Sequence, residues 1–152
     1  MTDMASGESY PCLKCGHMLG SKACNCYGQP QRATPRMGLT VPTMADVTVS
    51  ISSPLKHQCP FVDEVDEGVV NISWRCNGST FELHALRKWL DQWTPCDVSH
   101  EEITDVITTQ LGCVAGIEDV AVITHWTTAG MSVTVGGGSD SLLREPVHAE
   151  GE

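Results

Sequence analysis

From residue 46 onward the apolar positions fall into regular rhythms. In residues 46–52, DVTVSIS, they recur every second position with β-branched side chains, which predicts a strand. Residues 68–76, GVVNISWRC, repeat the pattern, and the Asn77-Gly78 pair behind them is turn-forming. The period then changes. In residues 81–93, FELHALRKWLDQW, Leu83, Leu86 and Leu90 form one helical stripe with Trp89 and Trp93 beside it, and Pro95 stops the helix. Ser99 and Glu102 form a capping box ahead of a second helix. Its buried face is Ile103, Val106, Ile107 and Leu111, and Gly112 is its expected stop. Residues 118–126 and 131–136 return to alternation, joined by a turn at residues 127–130.

The order is therefore β-β-α-α-β-β. An α+β domain follows, with a four-stranded antiparallel sheet and two helices on one face. Such a sheet has two open edges, which units of this kind close by association, so a homo-oligomeric ring or barrel is expected.

The flanks lack these rhythms. Residues 1–45 read as a Cys-rich arm and a Gly- and Pro-rich linker, residues 46–137 as the domain, and residues 138–152 as a mobile tail. The arm carries Cys12, Cys15, Cys24 and Cys26, spaced to hold a structural zinc, with His17 able to replace one of them. The competing reading is a Cys-rich arm without metal.

Composition narrows the function classes. No stretch approaches the roughly 18 apolar residues of a membrane span. The first residues lack the basic start and apolar run of a secretion signal, so a reducing cytoplasm is expected, where eight cysteines point to metal or catalysis before disulfides. A net charge of −10 disfavours nucleic acid, whose phosphates need Lys and Arg, and fits a small molecule better.

One cysteine stands apart. Cys59 follows Lys56 and His57 and precedes Asp63, Glu64, Asp66 and Glu67. The two basic groups would favour a reactive thiolate and the four acids oppose it, so composition leaves nucleophile, metal ligand and inert core residue all open. Cys76, Cys96 and Cys113 read as small apolar fillers.

The segment HQCPFVDEVDEGVVNISW resembles the active-site segment of the QueF-type nitrile reductases, which reduce 7-cyano-7-deazaguanine to its aminomethyl form. There, too, a Cys-Pro pair is followed seven positions on by an Asp, here Asp66. ELHALRKW is similar to the family's signature helix. Glu82, Leu83, Ala85, Leu86 and Trp89 fit, while His84 and Arg87 stand in place of two lysines and Lys88 in place of Leu or Tyr. The His100-Glu101 pair matches the start of the family's second helix, and the intervals from Cys59 to Glu82 and Glu101 agree without gaps. The closing hairpin has Thr128-Ala129-Gly130 in place of Arg-Gly-Gly. The resemblance spans roughly residues 47 to 136 and implies the tunnelling fold, whose subunits assemble into barrels.

It also implies a chemistry. Cys59 would add to the nitrile carbon to give a thioimide, and Asp66 would supply the proton. Glu101 would anchor the N–H edge of the purine-like substrate with Glu82 as a second contact, and His100 would shuttle a proton. Two hydrides from NADPH would complete a reduction, with Arg87 and His84 at the cofactor. Relatives lacking the signature instead let ammonia attack the thioimide, giving an amidine on a base already in RNA. Two other readings stay open: a non-catalytic module that binds a purine or pterin, and an interaction protein built on the zinc arm. The competing role for Glu82 and Glu101 is to complement a helix N-terminus.

Overall fold

The computed structural model describes residue 10, residues 12–13 and residues 38–138. Strand β1 (Thr40–Pro42) is followed by β2 (Thr48–Gln58), β3 (Val65–Cys76) and β4 (Ser79–Phe81). Helices α1 (Leu83–Asp91) and α2 (His100–Gly112) come next, and β5 (Ile117–Thr128) and β6 (Met131–Gly138) close the fold. The main sheet has the order β2-β3-β5-β6, antiparallel throughout. The expected α+β class, the order of the long elements and the antiparallel sheet are all present.

Strand alternation decides what each face does. Across the sheet, Leu55, Gly68, Trp126 and Val133 occupy one row, and Ser53, Val70, Thr124 and Val135 the next. This face meets the helices. Ile72, Trp74, Val122, Leu86, Trp89, Leu90, Ile103, Ile107 and Leu111 are buried in one continuous core. Leu83, expected on the buried stripe, is instead half exposed at the first turn of α1, and Trp93 takes the interior position beyond the helix end. Helix α1 ends at Asp91, ahead of Pro95. Gly112 is the last residue of α2 and Cys113 its cap.

The opposite face carries a polar row bridged side to side. The Ser52 hydroxyl donates to Asn71 Oδ1, the Asn71 amide donates to His125 Nε2 at 3.1 Å, and His125 Nδ1 donates to Thr134 Oγ1 at 3.2 Å. This ladder crosses all four strands. Beside it, β3 and β5 are out of step between Ser73 and Arg75, where Asp119 takes a φ of 54°.

Two features lie within the stretch read as arm and linker. Thr40–Pro42 pairs with Ser79–Phe81, and Leu39 is buried. Tyr10, Cys12 and Leu13 are also buried, with Leu13 N–H donating to Gln110 Oε1 at 2.6 Å and the Tyr10 ring 5.3 Å from Trp93. No helix among the described residues is long and apolar enough to cross a membrane.

Because Leu13 is fully buried, Leu13→Ala is expected to lower the unfolding free energy by about 2–5 kcal/mol, the range for an interior leucine. Urea unfolding measures it. An unchanged midpoint would mean that this segment contributes nothing to the core.

Candidate functional site

The site forms where β2 ends. Gln58 N donates to Cys96 O at 3.0 Å and Val98 N donates to Gln58 O at 3.3 Å, so the segment before α2 pairs with the last residue of the strand. Ser99 caps α2, its hydroxyl accepting from Glu102 N at 3.1 Å, and His100 and Glu101 open the helix beside the strand end. Residues 59–64 loop back to β3, held by Cys59 N to Glu64 O at 2.9 Å and by Gln58 Nε2 to Glu64 O at 3.1 Å. His57 and Asp66 are direct partners across the β2–β3 pair.

Cys59, Asp66, His100 and Glu101, four of the residues singled out from the sequence, line one cavity of about 240 Å³ together with His57 and Phe61. That size suits a small heterocycle better than a drug-sized ligand. Cys59 is half-buried, with Phe61 N–H directed at its sulfur at 3.4 Å. Asp66 Oδ2 stands 3.8 Å from His57 Nε2 and 3.9 Å from His100 Nε2.

The two imidazoles are held from several sides. His57 is fully buried, and burial pushes it below the usual histidine range, with the neighbouring His100 adding to that. Its Nε2 lies 2.9 Å from His100 Nδ1. The His100 ring stacks on Trp126, with centroids 4.4 Å apart and planes at 11°. Trp126 is fixed by a chain of hydroxyls whose directions are determined. Thr104 donates to His100 O at 2.8 Å. Its oxygen must then accept from Thr124 at 2.7 Å, and Thr124 in turn accepts from Trp126 Nε1 at 2.8 Å. Each of these protons has one destination.

Gly68 makes room for this arrangement. A Cβ there would meet Trp126 Cε3 at 2.5 Å and His125 O at 2.4 Å.

Three expected site residues stand elsewhere in the single chain. Glu82 caps α1, accepting from Ala85 N at 2.9 Å and His84 N at 3.3 Å. Its carboxyl is drawn below the usual range, first by the His84 side chain at 3.0 Å and then by those backbone groups. This is the helix-start role named as the alternative for Glu82. His84 is exposed. Arg87 donates to Ser53 Oγ at 2.8 Å and Pro54 O at 2.9 Å and pairs with Asp91 at 2.9 Å, lining a separate groove beside Leu83 and Leu90. Thr128 reaches the rim of the cavity. The turn after it, Ala129 and Gly130 with φ of 53° and 76°, carries no cation. Of the expected zinc ligands, Cys12 is buried, while Cys15, Cys24, Cys26 and the substitute His17 lie outside the described residues.

His57, Asp66 and His100 each offer a ligand atom within 4.8 Å of the others, a spread a divalent ion could span. An ion on His57 Nε2 would have to break the bond to His100, because one lone pair cannot serve both a metal and a hydrogen-bond donor. In the sequence His57 reads only as a charge beside Cys59, and no motif connects Trp126, Thr104 or Thr124 to the site. The alternation of β2 carries a signal for His57, since it puts Leu55 and His57 on the same inward face.

Two outcomes are expected. Gly68→Ala forces Trp126 or the β5 backbone to move, costing about 1–3 kcal/mol in urea unfolding, as overpacking does. The second concerns pH. The folded His57 pKa lies below its ordinary 6.5. As pH falls through that value, the unfolded chain binds a proton that the folded ring refuses, so stability drops. Between about pH 8 and pH 5.5, spanning the ordinary histidine range, His57→Gln should show a shallower loss than the parent chain.

No family model and no curated protein matches the chain. Among solved structures it is similar to the crystal structure of the archaeosine synthase QueF-Like in the apo form. The two are 20% identical, the match covers 60% of this chain and 92% of that one, and the TM-score is 0.58. The likeness is one of fold, and it places this chain's architecture with that of a QueF-like protein.

Proposed function

We propose that the protein is an enzyme of 7-deazaguanine metabolism that captures the nitrile of 7-cyano-7-deazaguanine on Cys59. The observation that carries this reading is the meeting of Cys59, Asp66, His100 and Glu101 in one small cavity, although up to 42 positions separate them in the chain (101 − 59 = 42). The likeness in fold to an archaeosine synthase supports it.

In the proposed reaction the Cys59 sulfur adds to the nitrile carbon. The S–C bond forms as one C–N π bond opens, and the nitrogen takes a proton from Asp66, leaving a thioimide. Glu101 faces the same space, where its carboxylate can accept from the N–H edge of the base. Phe61 lines the cavity yet is largely exposed, a flat ring on which a heterocycle can stack.

For the second step, attack by ammonia is favoured over reduction. Ammonia adds to the thioimide carbon, the Cys59 thiol leaves, and an amidine results with no change of oxidation state. Reduction would need cations for the phosphates of NADPH. Arg87 is engaged by Ser53, Pro54 and Asp91, and the hairpin has Thr128-Ala129-Gly130 where the reductases have an arginine. Reduction by NADPH is the second reading, since Arg87 still provides a fixed cation.

Intact-mass measurement with the free nitrile tests the proposal. The expected result is an adduct of the nitrile's mass, absent in Cys59→Ala and formed about 10²–10⁴ times more slowly in Asp66→Asn, the usual worth of a positioned proton donor. An adduct that survives Cys59→Ala, or none with the parent chain, overturns it. Adding ammonium or NADPH to the preformed adduct then separates amidine from amine by product mass.

A further inference from the structure

We propose that His57 is a positioning residue that fixes the tautomer of His100, leaving His100 Nε2 as the basic atom turned toward Asp66 and the cavity. The inference rests on the Cys59–Asp66 reading for its chemical meaning, but its geometry stands without it.

His57 Nδ1 lies 3.1 Å from Gln58 O. A carbonyl can only accept, so Nδ1 carries a hydrogen. The ring is fully buried, which disfavours a second proton, so Nε2 holds a lone pair. That lone pair faces His100 Nδ1 at 2.9 Å, so His100 must donate from Nδ1. A neutral His100 then has its own lone pair on Nε2, the tautomer that free imidazole side chains populate less in water. Nε2 is the atom 3.9 Å from Asp66 Oδ2. Trp126 stacks on the ring with centroids 4.4 Å apart, which opposes turning it about Cβ–Cγ and keeps Nδ1 toward His57.

The consequence is a one-sided proton path. His100 Nε2 takes the Cys59 thiol proton, freeing the thiolate to attack, and passes it to the Asp66 carboxylate, which then protonates the nitrile nitrogen. One proton leaves sulfur and one arrives at nitrogen. His57 changes neither its charge nor its partner during the transfer. With the proton on Nε2 instead, neutral His100 could not accept from the thiol, and Nδ1 would press a second lone pair against that of His57.

The experiment uses the full chain labelled with nitrogen-15. Long-range proton–nitrogen correlation spectra at about pH 8, where ordinary histidines are neutral, report the tautomer of each ring without any substrate. The expected result is hydrogen on Nδ1 and a lone pair on Nε2 for both His57 and His100. In His57→Leu, His100 should revert to Nε2–H and the saturating rate of adduct formation should fall by about 10²-fold, the scale of acid–base assistance, with half-saturation by the nitrile little changed. His57→Gln, whose amide oxygen can accept from Nδ1, should restore the tautomer and most of the rate. Nε2–H on His100 in the parent chain overturns the inference, whether or not the leucine variant folds. So does an unchanged His100 tautomer in a folded His57→Leu, or nitrogen shifts of both rings that move on adding a chelator, which would indicate a bound metal. Absence of an adduct in the parent chain would sink the proposed function and leave the tautomer result standing.

Discussion

Two backbone hydrogen bonds on Gln58 hold the candidate site together. The β2–β3 pair delivers His57, Cys59 and Asp66, and α2 delivers His100 and Glu101. No stretch of adjacent sequence joins them. The bonds from Gln58 N to Cys96 O and from Val98 N to Gln58 O fasten the segment before α2 onto the strand end, and the helix start follows. Closing a chain loop of this length has an entropic cost that rises only slowly with length, so two well-placed bonds on a packed scaffold can fix what the sequence keeps far apart.

Around that junction the interior is polar, which is costly unless each group is paired. Here the pairing is complete and directional along Trp126, Thr124, Thr104 and the His100 carbonyl. The same contacts that satisfy the buried hydroxyls hold the indole under the imidazole. Gly68 belongs to this arrangement through what it lacks, since any side chain would collide with the indole. The site is therefore organised before a substrate arrives, the condition under which a small displacement would be most damaging to catalysis.

Much of this was legible from residue pattern. Alternation located the four long strands, and the Ser99–Glu102 box located α2 because a capping hydroxyl acts locally. Strand ends extended further than alternation indicated, as at Lys56, His57 and Gln58, because pairing continues wherever a partner strand runs alongside. Strands β1 and β4, three residues each, are too short to carry a period. Leu83 shares the buried stripe by spacing, but helical spacing fixes a stripe and not which end of it leaves the core. Cys59, Asp66, His100 and Glu101 were legible through the resemblance of their spacing to a known active site. Glu82 shared that spacing, yet its carboxylate is occupied as a helix cap, a role open to any acid at that position. Trp126 and the threonines carry no such signal, because their roles depend on contacts between elements, which no single segment encodes.

The ladder of Ser52, Asn71, His125 and Thr134 on the outer face has a consequence for how the chain reaches this sheet. Individually such exposed pairs contribute only about 0.2–1 kcal/mol. Sliding any one strand by a single residue, however, swings its member to the opposite face and breaks every rung it shares. Misregistered sheets formed during folding would forfeit the whole row at once, so these weak contacts proofread the alignment on which the distant pocket relies.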